Sequence, residues 1–228
     1  LNNKKVSAVT SIQFFRNFKF SVIFLFVYAL VVAGLTVLLY MLNIPMDVFY
    51  QVDTFVISTK VFLILVGAIT FYSTFKDYIL QGVTRKEFVV GSLTAIAILC
   101  LFFTIVLTGV YIFVQHIKGV TIGVNDTILL MAVSLLIFYT YYAIGWFLGM
   151  AVLKYRFFGR FISFIFAITA IVIMEITTNI GFSNLIEGTA RIQPLSIPLV
   201  YNLLSTVIIA FLITYYVYSK AKKIYIRV

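Results

Sequence analysis

Residues 84–114 read TRKEFVVGSLTAIAILCLFFTIVLTGVYIFV, and this stretch decides the fold. A polar corner, Thr84-Arg85-Lys86-Glu87, opens onto a run in which no charged side chain occurs from position 88 to position 114. A helix rises about 1.5 Å per residue, so the run is long enough to cross a hydrocarbon core about 30 Å thick. Its apolar residues are contiguous rather than alternating, which excludes a porin-like barrel strand.

The same pattern recurs on both sides, and predicts spans at 20–42, 54–75, 88–114, 127–151, 161–180 and 198–219. Of the 228 residues, 63% are hydrophobic and 11% are charged, whereas a soluble domain carries about 25% charged residues. The sequence therefore predicts an all-α integral membrane protein of six transmembrane helices, one transmembrane domain over 1–228 with no room for a soluble one. The first run follows Lys4, Lys5, Arg16 and Lys19 like a signal peptide, but it is too long for a signal h-region and no A-x-A-like cleavage site follows it. It reads as a retained helix. Ahead of it Ala8, Ile12 and Phe15 share one helical face, with Phe18 close by, which predicts a short helix within 1–19 lying in the membrane interface.

Orientation follows from where Lys and Arg fall, since cytoplasmic loops hold the excess. Four lie in the N-terminal segment. The second loop has Lys76, Arg85 and Lys86, the fourth Lys154, Arg156 and Arg160, and the C-terminal segment Lys220, Lys222, Lys223 and Arg227. The opposite side holds only Lys118 and Arg191, and Lys60 lies within a span. Both ends of the chain are expected in the cytoplasm. The formal charge of +10 is scattered between apolar segments rather than gathered on one water-facing surface, which argues against nucleic acid as a partner.

Within the second cytoplasmic loop, Thr84 followed three residues later by Glu87, just before an apolar run, is the capping-box pattern. Gly82 is placed to close the preceding helix in a left-handed conformation. Any helical hairpin needs such a corner, so the spacing alone has a purely structural reading. However, Gly82-Val83-Thr84-Arg85-Lys86-Glu87-Phe88 also resembles the Gly-x-Ser/Thr-Arg stretch between the second and third spans of ABC type-2 transporter permeases. The resemblance extends over the whole chain in topology and over about a dozen residues in motif.

That resemblance implies a membrane-spanning subunit of a bacterial ABC exporter, in the compact form without a large extracellular domain. It implies that Asp77, Tyr78, Gly82, Thr84, Arg85, Lys86 and Glu87 couple to an ATPase, with Arg156 and Arg160 of the fourth loop in a second contact. It also implies pairing with a second copy or a related permease, placement in the bacterial plasma membrane, and a re-entrant connection at 181–197, for which an ordinary exposed loop is the alternative. No G-x-x-x-x-G-K-[ST] phosphate loop occurs in the chain, so ATP and Mg belong to separate ATPase subunits. Cargo would be an amphipathic peptide or a hydrophobic drug, as 24 Phe would suit an apolar path.

Two further features stand inside the spans. Lys60 and Glu175 lie about 9 Å and 7 Å from the expected outer ends of their helices. Ionisable groups at such depth are functional candidates, either paired or facing a path. The plainer readings are that Lys60 snorkels outward and Glu175 caps the adjoining loop. Gly145 and Gly149 form a G-x-x-x-G pair that admits close helix packing, within the subunit rather than between subunits. Trp146, Tyr139, Tyr141 and Tyr142 read as packing residues of that helix, and Tyr215, Tyr216 and Tyr218 as an interfacial aromatic belt.

Enzymatic chemistry finds little material here. His116, the single histidine, is expected in an outer loop, and Cys100, the single cysteine, lies within an apolar run, so neither a metal site nor an intrachain disulfide is expected. Gly181-Phe182-Ser183-Asn184 is not a nucleophile elbow. No catalytic or metal-binding residue and no cofactor is assigned to the chain itself. A membrane sensor, immunity factor or assembly protein that transports nothing is the alternative reading.

Overall fold

The computed structural model describes residues 2–42, 48–117, 119, 123–186 and 197–221. Among these every regular element is a helix: α1 (Asn3–Met41), α2 (Val48–Leu80), α3 (Arg85–Ile117), α4 (Val124–Lys154), α5 (Phe157–Ile186) and α6 (Ile197–Ala221). All six are long and apolar enough to cross a membrane. Residues 187–196, central to the re-entrant expectation, lie outside the described residues, as do Asp47, Lys118, Lys222, Lys223 and Arg227. His116 belongs to the last turn of α3 rather than to a loop.

The N-terminal lead-in and the first span form one uninterrupted helix of 39 residues, rather than a short helix followed by a separate span. The sequence explains this, because no glycine or proline precedes Gly34 to break the backbone hydrogen bonding. At about 1.5 Å per residue, α1 extends about 60 Å, roughly twice a hydrocarbon core. Its faces are sorted in an unusual sense for a soluble protein: Val9, Gln13, Asn17 and Ser21 are buried, while Ile12, Phe15, Phe20 and Phe26 are exposed.

That inversion runs through the molecule. Phe, Ile, Val and Leu side chains cover the outside, and Thr59, Thr70, Ser92, Thr104, Thr108, Ser134 and Thr140 are buried. Where bulk water is replaced by lipid, apolar groups face outward at no cost and polar groups seek partners inside. Several threonines find them on their own helix. Thr104 donates to the Cys100 carbonyl at 2.9 Å, Thr108 to Thr104 at 2.8 Å and Thr140 to Leu136 at 2.7 Å, the i−4 bond that lets a hydroxyl enter an apolar region.

α4 is the centre of the bundle, touching α2, α3, α5 and α6, while α1 lies against α3. The tightest seam joins α2 to α4. A Cβ on Gly145 would collide with the Ile64 carbonyl, one on Gly149 with the Ala68 carbonyl, and one on Gly67 would approach the Tyr142 carbonyl to 2.6 Å. The G-x-x-x-G pair thus seats α2 within the same chain, and Gly67 answers it from the other side. Backbones meet here because no side chain intervenes. Towards the basic end, Phe71, Phe75, Phe88 and Trp146 stack and edge together, with centroids 5.1–6.0 Å apart.

Candidate functional site

Two polar constellations stand out from this apolar frame, one at the basic end and one among the spans. The first is the corner between α2 and α3. The Gly82 N–H bonds the Ile79 carbonyl and the Val83 N–H reaches back to Tyr78 at 3.0 Å, the paired bonds of a Schellman motif. They require Gly82 in the left-handed region, where its φ is +78°. The chain then turns straight into α3. Glu87 accepts from the Thr84 N–H at 3.0 Å, while its own N–H donates to the Thr84 hydroxyl at 3.3 Å. This is a closed capping box.

α1 completes the corner from a distance that spacing did not reveal. The Asn2 N–H donates to the second Glu87 oxygen at 2.9 Å, the Lys5 ammonium to the Gly82 carbonyl at 2.7 Å, and the Thr10 hydroxyl to the Gly91 carbonyl at 3.0 Å. Gly91 is needed for this approach, since a Cβ there would lie 2.9 Å from the Val6 carbonyl and from Val9. Glu87 lies one residue ahead of the apolar span. The Thr84 N–H first, then the Asn2 N–H and the Thr84 hydroxyl, hold its pKa down to about 2, with Lys5 adding a little and burial opposing. Its charged form is therefore the one the corner is built around.

The predicted corner residues divide into two groups. Tyr78 and Glu87 are buried, and Tyr78 packs on the Phe88 ring at 5.6 Å. Gly82 and Thr84 are used by the turn itself. Asp77 and Lys86 are exposed, as is Lys76, and Arg85 is half-buried. In the other basic loop, Arg156 and Arg160 are exposed, with the Arg160 guanidinium donating to the Tyr155 carbonyl at 2.9 Å. The first group holds the corner, and the second is what it presents.

The second constellation joins three helices. Lys60 of α2 and Glu175 of α5 form an ion pair at 2.8 Å. The Tyr141 hydroxyl of α4 donates to the same carboxylate oxygen at 2.5 Å, and the Lys60 ammonium lies 5.3 Å from the Tyr141 ring centre. Tyr141, read from the sequence as packing only, is thus part of the cluster. One helical turn on from Lys60 and Tyr141 are Ile64 and Gly145, whose close approach sets the register that brings the two together.

A third, neutral link was not visible in the sequence at all. The Asn17 side chain donates to the Tyr142 hydroxyl at 3.2 Å and accepts from Thr70 at 3.1 Å, tying α1 to α2 and α4. Its only sequence signal is an amide at the edge of an apolar run, a position with no fixed partner. No group of three or more His, Cys, Asp or Glu side chains able to hold a metal occurs among the described residues. No family profile matches the chain, and no curated protein or solved structure is significantly similar to it.

Proposed function

We propose that the chain is the membrane-spanning subunit of an ATP-driven exporter of the ABC type-2 permease kind. The observation that carries this reading is the α2–α3 corner, where exposed Lys76, Asp77 and Lys86 stand on a turn locked to α1 by Asn2, Lys5 and Thr10. A partner pressing on those charges would move three helices together rather than bend a loop. That is what converting closure of a separate ATPase into helix motion requires. ATP and Mg would be held by the partner, and a second copy or a related permease would supply the other wall of the path. The membrane would be the bacterial plasma membrane with the basic end inward, and the cargo an amphipathic peptide or hydrophobic drug.

The test is co-purification with the ATPase encoded beside this chain, together with its ATP hydrolysis. Charge reversal at Lys76→Glu and Lys86→Glu alters only presented side chains, so it should abolish association or coupled hydrolysis while the chain still folds. A Thr84→Ala, Arg85→Ala, Glu87→Ala variant would lose both the contact and the capping box. If the folded wild type recruits no ATPase, the exporter reading fails, and a sensor, immunity or assembly role takes its place.

A further inference from the structure

Between α4, α5 and α6, at the basic end, lies a groove of about 630 Å³, within the range of about 300–1,000 Å³ that holds small ligands. Its walls are apolar, with Phe147, Ile162, Phe166 and Leu212 among them. Two of its lining residues, Tyr155 and Tyr216, bring polar groups to it. The Tyr155 and Tyr216 hydroxyls meet there at 2.9 Å, the Lys154 ammonium lies 5.2 Å from the Tyr155 ring centre, and the Lys220 ammonium lies 5.5 Å from that of Tyr216. The Arg160 guanidinium donates to the carbonyl of the same Tyr155 at 2.9 Å. None of these three cations has a carboxylate partner among the described residues.

We propose that this groove binds one anionic phospholipid of the leaflet at the basic end, an acyl chain along the apolar walls and the phosphate at Lys154, Lys220 and Arg160. Charge decides the occupant. Basic pockets between spans at the level of the headgroups select anionic lipid, whereas an uncharged cargo has no use for three cations that lack a carboxylate partner among the described residues. A second copy packed isologously on this face would set the same three cations against each other. The proposal does not depend on the exporter reading.

The experiment is native mass spectrometry of the full chain in neutral detergent, titrated with phosphatidylglycerol or phosphatidylcholine of the same acyl composition. The expected result is at least tenfold tighter binding of phosphatidylglycerol. That preference should be lost in Lys154→Gln/Lys220→Gln, and binding of both lipids should be reduced in Leu212→Trp, which fills the groove from an exposed wall position (58% exposed). Equal binding of the two lipids overturns the proposal. So does a preference that survives the double substitution, or binding that Leu212→Trp leaves unchanged, which would place the lipid on surface cations alone. A dimer that forms through this face and excludes lipid overturns it in favour of a second copy. Thermal unfolding of each variant without lipid, matching wild type, separates lost binding from lost fold.

Discussion

Glu87 and Glu175 are both carboxylates in a chain that is mostly hydrocarbon, and each is held in a different way. Glu87 takes hydrogen bonds from the backbone N–H groups of Thr84 and Asn2, one to each oxygen. Glu175 takes them from two side chains, Lys60 and Tyr141, both on one oxygen. The first carboxylate completes a helix terminus whose N–H groups would be orphaned in any case. The second neutralises a cation that would otherwise be stranded among the spans. A carboxylate that caps a helix can be lost at modest cost, whereas one member of an intramembrane pair cannot be lost without stranding the other.

The largest effect should therefore come from Lys60→Met, which leaves Glu175 charged among apolar helices or forces it to take up a proton. A loss of about 3 kcal/mol is expected, measured as unfolding in mixed micelles. Lys60→Met/Glu175→Gln should recover most of it, and a double variant as unstable as the single one would break the comparison. Next is Gly145→Ala, at about 2 kcal/mol. Its Cβ would meet the Ile64 backbone, which cannot rotate away, so the seam must widen and carry Lys60 away from Tyr141. Gly34→Ala, where nothing lies within 4 Å, is the control expected to be neutral to slightly stabilising, since alanine suits a helix interior better than glycine.

At the corner the effects are smaller. Thr84→Ala removes one side of the capping box and should cost about 1 kcal/mol, with increased proteolysis near residues 2–10 because Glu87 loses its alignment towards Asn2. The last effect at the corner is one of pH. The Glu87 pKa is lowered on folding from 4.5 to about 2, so its stabilising contribution is complete above about pH 4.5 and is lost as pH falls towards 2. Amide hydrogen exchange at the start of α1, corrected for intrinsic rates, should show less protection at pH 3 than at pH 5.5 in wild type. Glu87→Gln should flatten that difference, and a pH dependence that persists in the variant would place its source elsewhere.

The same pair of glutamates shows how far sequence could reach. Thr84, Glu87 and Gly82 were legible because their partners lie three to five residues away, and a helix terminus has the same geometry in every fold. Six apolar runs were legible for a similar reason, since crossing a membrane depends on length and composition within one segment. That Lys60 and Glu175 stand at similar distances from matching helix ends was legible too, but not how far, since α2 begins at Val48 rather than at 54 and α5 runs to Ile186 rather than to 180. That Tyr141 would join them was not, nor that Asn17 would bridge Thr70 and Tyr142, nor that Asn2 and Lys5 would reach the corner.

Each of those partnerships depends on how a helix is rotated about its axis and slid along its neighbour, and a uniformly apolar span carries almost no signal for either. The sequence by itself determined six membrane-length helices, a capped corner and two isolated charges at similar depth. The tertiary structure decided their partners. It did so through backbone contact at Gly67, Gly145 and Gly149, where the absence of side chains lets α2 and α4 meet in one register, and at Gly91, where it lets α1 approach α3.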